Sequence, residues 1–213
     1  MVIHDEPRWP SITAVVMVAT LHGFLPSRLT AGPGWLPVVM VVILSGFLVW
    51  SHYSRKPALN QLLGYMICGI ITAALAYSLG ALVAGLPHRL EEAPVLLRSA
   101  GILWTTNVII FATWYWRLDG GGPHGRSQKQ FHQEGAFLFP QMTLDAEARA
   151  AAGIHSWRPH FVDYLFLSFN TSTAFSPTDV PVLSRWAKLL MMIQASISLT
   201  TLAIVAARAV NVI

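Results

Sequence analysis

The chain has 213 residues, of which 54% are hydrophobic and 11% are charged, and its mean hydropathy is +0.52. Soluble domains carry about 25% charged residues, so this composition excludes an ordinary soluble domain and indicates an integral membrane protein. The formal charge of +4 comes from basic residues beside apolar segments, where they suit lipid head groups. We therefore expect a lipid bilayer, and no nucleic acid, as a partner.

Four apolar runs in the first half of the chain predict membrane-crossing helices, because a helix needs about 20 residues to cross a bilayer. The first run follows a mixed-charge start without a clear small-residue cleavage site, which favours a retained helix over a cleaved signal peptide. The fourth ends in Trp114-Tyr115-Trp116-Arg117, an aromatic belt with a cationic anchor that is typical of a membrane surface. The runs are 12–25, 35–50, 62–86 and 94–116, and they predict a four-helix transmembrane region over 1–118.

The composition changes after the fourth run. Gly120-Gly121-Gly122-Pro123 interrupts helical structure, and a stretch rich in Gln, His and Arg follows. We predict an extramembrane loop over 119–160. Within it, the sequence DAEARAAA at 145–152 has high helix propensity and is followed by Gly153, which predicts one short helix.

Residues 161–213 have the pattern of a pore-loop-like module. Its first part, 162–175, is about 14 residues, or about 21 Å as a helix, which is too short to cross a bilayer. A Ser/Thr/Pro turn closing on Asp179 follows, and then a long apolar helix at 186–213. Irregular backbone survives at membrane depth only where protein buries it or water lines it. The sequence therefore predicts an all-α membrane protein with about five transmembrane helices and a re-entrant segment before the last one.

Polar residues recur along one face of the last helix, at offsets of four, seven and fourteen. Polar side chains inside a span face either water or a partner helix. Two interpretations follow: these residues line a pore in a symmetric assembly, or they form hydrogen bonds between helices of a bundle. Ser196 and Thr200 lie on another face, which favours the second. The candidate pore-lining residues are Gln194, Ser198, Thr201 and Arg208.

The module resembles the pore helix, filter and inner-helix start of potassium-channel pores. The residues that carry the resemblance are Phe169-Asn170-Thr171-Ser172-Thr173-Ala174-Phe175, Asp179 and Leu183-Ser184-Arg185-Trp186-Ala187-Lys188, in about a quarter of the chain. In that family a Thr-rich strand leads into Gly-Tyr-Gly-Asp, whose carbonyls replace the hydration shell of the ion. Aligning the aspartates places Ser176, Pro177 and Thr178 at the glycine and tyrosine positions. Because proline cannot adopt the conformations that glycine reaches, potassium selectivity by that mechanism is doubtful.

The same segment, with its DYLFLSF start and ARAVN end, is also similar to a poorly characterised group of bacterial inner-membrane proteins. This resemblance extends to the tryptophan-rich end of the fourth run. It implies a multi-pass protein of the cell inner membrane, and it brings no established activity.

We expect an oligomer, with a tetramer as the assumed stoichiometry, that passes small cations. Hydroxyl, amide and carboxylate oxygens of the turn would bind hard cations, and Asp179 would form an acidic ring at the mouth. The same four residues, 176–179, also suit a β-turn with Asp179 capping the next helix. The candidate pore residues are Asn170, Thr171, Ser172, Thr173, Ser176, Thr178 and Asp179.

Two other functions stay open. One is a non-conducting membrane scaffold or accessory subunit, in which the turn is a buried connection. The other is a small transporter, which would need a substrate site formed by broken helices. Catalysis is not expected, because the histidine pairs do not follow zinc-site spacings and the nucleotide and nucleophile motifs are missing. We expect no catalytic residue, no metal and no cofactor.

Membrane sidedness is ambiguous in the sequence. Lys and Arg residues near the predicted span ends concentrate on the side of the long loop, which the positive-inside rule places in the cytoplasm. A pore loop of the potassium-channel kind would instead lie outside. The conflict is removed if 162–182 crosses the membrane as a broken span.

Overall fold

A computed structural model of the protein describes residues 9–54, 56–87, 92–128, 135–154, 157–173 and 180–210. Of these described residues, 81% are helical and none forms a strand. Short 3-10 turns at Ser27–Leu29 and Asp119–Gly121 accompany the helices. The helices are α1 (Trp9–His22), α2 (Trp35–Tyr53), α3 (Pro57–Gly85), α4 (Ala93–Leu118), α5 (Gly122–Ser127), α6 (Pro140–Thr143), α7 (Ala146–Ala151), α8 (Phe161–Thr173) and α9 (Arg185–Val210).

The predicted all-helical class is confirmed, and the four apolar runs correspond to α1 to α4. Three helical stretches are long and apolar enough to cross a membrane: Pro57–Gly85, Ala93–Ser127 and Arg185–Arg208. The helices α1 and α2 are apolar but shorter. These three stretches support an integral membrane protein. The count of five spans stays a prediction.

The interruption predicted after the fourth run is present where α4 ends. Gly120, Gly121 and Gly122 all have positive φ, at 58°, 82° and 76°, a conformation that residues with a Cβ rarely adopt. The short helix predicted at 145–152 is present as α7. One of the free amides of its first turn is satisfied because the Asp145 carboxylate accepts a hydrogen bond from the Ala148 N–H at 2.7 Å.

Helix α4 lies at the centre of the bundle, where it packs on α1, α3, α8 and α9. Its membrane-length stretch is 61% buried, whereas that of α9 is only 22% buried. Against α3, the Trp114 ring stacks on Tyr65 with centroids 5.9 Å apart, and its Nε1 donates to Thr72 Oγ1 at 3.0 Å. Helices α8 and α9 both pack on α4.

Gly64 of α3 leaves room for a side chain of α4. The guanidinium of Arg117, which is buried, lies against this glycine and 5.5 Å from the Trp116 ring centroid. A Cβ at position 64 would overlap the guanidinium. We expect Gly64→Ala to destabilise the protein by about 1–3 kcal/mol, the usual effect of overpacking, measured as a lower midpoint of thermal unfolding in detergent.

Gly69→Ala is the matched control for this prediction, since Gly69 lies in the same helix and a Cβ there meets no heavy atom within 4 Å. We expect it to stabilise the protein by about 0.5–1 kcal/mol through helix propensity. Equal shifts in the two variants would show that the contact with Arg117 does not limit packing.

Helices α8 and α9 run parallel to each other and antiparallel to α4. At their first turns, the Phe137 ring lies 6.2 Å from Tyr164 of α8 and 6.1 Å from Trp186 of α9. Two turns further along, Gln194 of α9 reaches Ser172 of α8. The two helices therefore start at the same end of the bundle and point the same way.

The chain is fixed at this end just before α9 begins. Phe137 and Val182 form an isolated antiparallel bridge, in which the Leu138 N–H donates to the Pro181 carbonyl at 2.9 Å. The Leu183 N–H donates to the Ala136 carbonyl at 2.8 Å. After the end of α8, the chain has thus returned to the level at which α8 started.

Candidate functional site

Buried polar side chains join α4, α8 and α9, and Gln194 is at their centre. This side chain is 0% exposed. Its Nε2 lies 2.7 Å from each of three oxygens, the Ser168 carbonyl, Ser168 Oγ and Ser172 Oγ. Its Oε1 accepts a hydrogen bond from the Tyr115 hydroxyl at 2.5 Å. We call the set the polar layer; it comprises Asn107, Tyr115, Ser168, Ser172, Gln194 and Ser198.

Asn107 extends the polar layer by one turn of α9. Its Nδ2 donates to the Gln194 carbonyl at 3.1 Å and to Ser198 Oγ at 2.8 Å. On the other side, Ser168 Oγ donates to the Val108 carbonyl at 2.6 Å. Within the layer as described, Asn107 Oδ1 is the one buried side-chain atom without a hydrogen-bond partner. A buried network this well satisfied holds its helices in one arrangement.

Of the four candidate pore-lining residues of α9, three are buried and the fourth is not. Gln194, Ser198 and Thr201 are 0%, 0% and 1% exposed within a single chain. The hydrogen bonds of Gln194 and Ser198 connect α9 to neighbouring helices, as expected if these residues join helices of a bundle. Arg208 lies near the end of α9, half-buried and outside the polar layer.

The candidate pore residues of α8 also differ in burial. Ser172 belongs to the polar layer, and Thr171 is buried with its hydroxyl donating to the Leu167 carbonyl at 2.8 Å. Asn170 is half-buried and Thr173 is exposed, so these two face away from the polar layer. The remaining candidates, Ser176, Thr178 and Asp179, lie outside the described residues.

A second buried polar group lies where α4 ends and α8 begins. Asp119 is 0% exposed, and its two carboxylate oxygens accept hydrogen bonds from the Ala136 N–H at 2.5 Å and from the Tyr164 hydroxyl at 2.6 Å. Arg126 is 1% exposed, and it donates to the Trp116 and Asp119 carbonyls at 2.8 and 2.7 Å. We call Asp119, Arg126, Ala136 and Tyr164 the Asp119 anchor.

The Asp119 anchor joins the start of α8 to the end of α4. The Arg126 guanidinium lies 5.2 Å from the Tyr164 ring centroid, a favourable cation–π distance. Phe137 follows Ala136 and contacts Tyr164 and Trp186. Sequence reasoning missed this site, because Asp119 was placed in the extramembrane loop. The one signal for it is a carboxylate directly after the aromatic end of α4.

The described residues contain no group of three or more His, Cys, Asp or Glu side chains that could hold a metal ion. The Cys68 thiol is buried and free. Of the four histidines in the predicted loop, His124 and His160 are described, while His132 and His155 lie outside the described residues.

These observations support an α-helical membrane protein in which a short helix, α8, packs between α4 and the last apolar helix. Comparison of the chain with protein-family models, with curated proteins and with solved structures found no significant match.

Proposed function

We propose that this protein spans the cell inner membrane several times, and that residues 162–182 form a re-entrant segment. In the proposal, several copies, with four as the assumed number, surround a pathway for small cations. The observation that carries it is the parallel arrangement of α8 and α9. Both helices start at the end of the bundle marked by Phe137.

The length of α8 supports the re-entrant arrangement. Its 13 residues span about 20 Å, whereas crossing a bilayer takes about 30 Å. The Phe137–Val182 bridge lies at the level of the first turn of α8. A segment that enters to partial depth and returns to its own side leaves non-helical backbone inside the membrane, which requires water or protein around it.

The two buried sites have separate roles in this proposal. The Asp119 anchor holds the first turn of α8, and the polar layer holds the last turn of α8 against Gln194. Asn170 and Thr173, with Ser176, Thr178 and Asp179, would then supply oxygens to the cation. Potassium selectivity by glycine carbonyls is not proposed, because Ser176-Pro177-Thr178 replaces the glycine-bearing filter.

One observation favours a non-conducting scaffold or accessory subunit as the second candidate. Gln194 and Ser198, expected in the first interpretation to face a pore, are hydrogen-bonded inside one chain. In the scaffold, the re-entrant segment would be a structural connection. The two functions differ in whether the assembled protein passes ions.

Flux in liposomes tests the proposal. The full chain is purified, its oligomeric state is measured, and potassium, sodium and chloride fluxes are recorded. We expect potassium and sodium fluxes well above chloride flux. We expect the Ser176→Ala, Asp179→Asn variant to reduce the cation fluxes by about tenfold, because the acidic ring that concentrates cations is removed.

Asp145→Asn is the matched control for the flux measurement. It makes the same aspartate-to-asparagine change at an exposed residue of the loop. Asparagine caps a helix there as well as aspartate does. Its fluxes should equal those of the unmodified protein. A folded, inserted oligomer without cation flux, or a monomer, would support the scaffold instead.

A further inference from the structure

Helix α9 presents a second polar surface, on the side that faces away from α4. Ser196 is exposed and Thr200 is partly exposed, whereas the polar layer is buried on the opposite side. Their neighbours on this outward side include Met192 and Leu199, which are 65% and 57% exposed. Between residues 189 and 207, these two hydroxyl groups interrupt an otherwise apolar outward surface.

Helix α2 has a more apolar outward surface in the same protein. Its exposed residues between 35 and 50 are Trp, Leu, Val, Met, Ile, Phe and Gly, without a single hydroxyl or amide side chain. This composition suits contact with lipid tails. Ser196 and Thr200 distinguish the outward surface of α9 from that of α2.

The hydroxyls of α9 lie near the depth at which α8 ends. Ser172, in the last turn of α8, contacts Gln194, and Ser196 is two residues further along α9. Thr173, beside Ser172, is exposed. Like Ser196 and Thr200, it faces away from α4. We call Thr173, Ser196 and Thr200 the outward hydroxyl set.

Each hydroxyl of the set donates to a backbone carbonyl four residues earlier. The distances are 2.9 Å for Thr173 and 2.8 Å for both Ser196 and Thr200. The donor is thereby used, and the oxygen lone pairs remain available as acceptors. An oxygen with free lone pairs suits water or a hard cation such as sodium or potassium.

We infer that the outward hydroxyl set, and not the buried stripe of Gln194, Ser198 and Thr201, lines the water-filled pathway for cations. This inference rests on the proposed function and adds to it the identity of the lining side of α9. The pathway would then lie between copies of the chain, on the side of α8 and α9 opposite α4.

Cysteine accessibility in liposomes tests the inference. The only native cysteine, Cys68, is 0% exposed, and Cys68→Ala gives a silent background. Ser196→Cys and Thr200→Cys are treated with a membrane-impermeant cationic methanethiosulfonate reagent. Phe47→Cys on the apolar surface of α2 is the lipid-facing control, and Ser198→Cys is the buried control.

We expect the cysteines at 196 and 200 to react at least about tenfold faster than those at 47 and 198, because a charged reagent is costly to place in lipid. A membrane-permeant maleimide confirms that the cysteine at 47 is reactive. Equal rates at 196, 200 and 47 would overturn the inference.

Flux recorded on the same liposomes distinguishes the proposed cation pathway from the assignment of the residues that line it. Cation flux without modification at 196 or 200 would leave the proposed function standing and overturn the lining assignment. Fast modification without cation flux would support a water-filled side of α9 and contradict the cation pathway. Block of flux by the reagent at 196 or 200 would support both.

Discussion

Replacing Gln194 by methionine should loosen α8 from the rest of the bundle and lower the free energy of unfolding by about 2–4 kcal/mol. Methionine keeps the length of the side chain and removes its amide. The Tyr115 hydroxyl and Ser172 Oγ then lose the partners that they have at 2.5 and 2.7 Å. An unpaired buried hydroxyl costs about 1–3 kcal/mol, and there are two.

Two measurements check this prediction. Thermal unfolding in detergent reports the loss of stability, and hydrogen exchange reports where it occurs, with faster exchange expected in peptides that cover α8. Ser196→Ala is the matched control, because it removes a hydroxyl from the exposed side of the same helix and should shift stability by less than about 0.5 kcal/mol. If Gln194→Met behaves like Ser196→Ala, the polar layer does not hold α8.

The helices were predictable because apolar runs and helix breakers are local signals. The boundary that differs most is the start of α3, at Pro57 instead of residue 62. In its first turn, Asn60 Nδ2 donates to the Leu48 carbonyl at 2.9 Å and to Ser51 Oγ at 3.0 Å. A polar first turn is stabilised here by contact with α2, and no periodicity within α3 reports that contact.

The identity of the neighbours of a polar face was not predictable in the same way. Helical spacing placed Gln194 and Ser198 on one face of α9, and it left both a pore and a partner helix open. The partners of the Gln194 side chain include Ser168 and Tyr115, which are 26 and 79 residues away. A single sequence specifies which side chains share a face, whereas the packing of helices determines what that face meets.

The Asp119 anchor was missed because its local signals indicate a loop. An aspartate followed by three glycines is typical of an exposed turn, yet Asp119 is buried. Its hydrogen-bond donors, Ala136 and Tyr164, are 17 and 45 residues away in the chain. The anchor exists only once the loop folds back over the start of α8.

Replacing Asp119 by alanine should lower the free energy of unfolding by about 3–5 kcal/mol, more than the replacement of Gln194 by methionine. The carboxylate accepts hydrogen bonds from the Ala136 N–H and the Tyr164 hydroxyl, and hydrogen bonds to charged groups contribute about 1.5–3 kcal/mol each. We expect the thermal midpoint in detergent to fall by about 10 °C.

Asp145→Ala distinguishes this loss from the general effect of removing an aspartate. Asp145 caps α7 through one hydrogen bond to the Ala148 N–H, so its removal should cost only about 1 kcal/mol. Asp119→Asn should fall between the two, because an amide oxygen can still accept from one of the two donors while the charge is lost. If Asp119→Ala is no worse than Asp145→Ala, the carboxylate does not fix the start of α8, and α8 must be held by the polar layer alone.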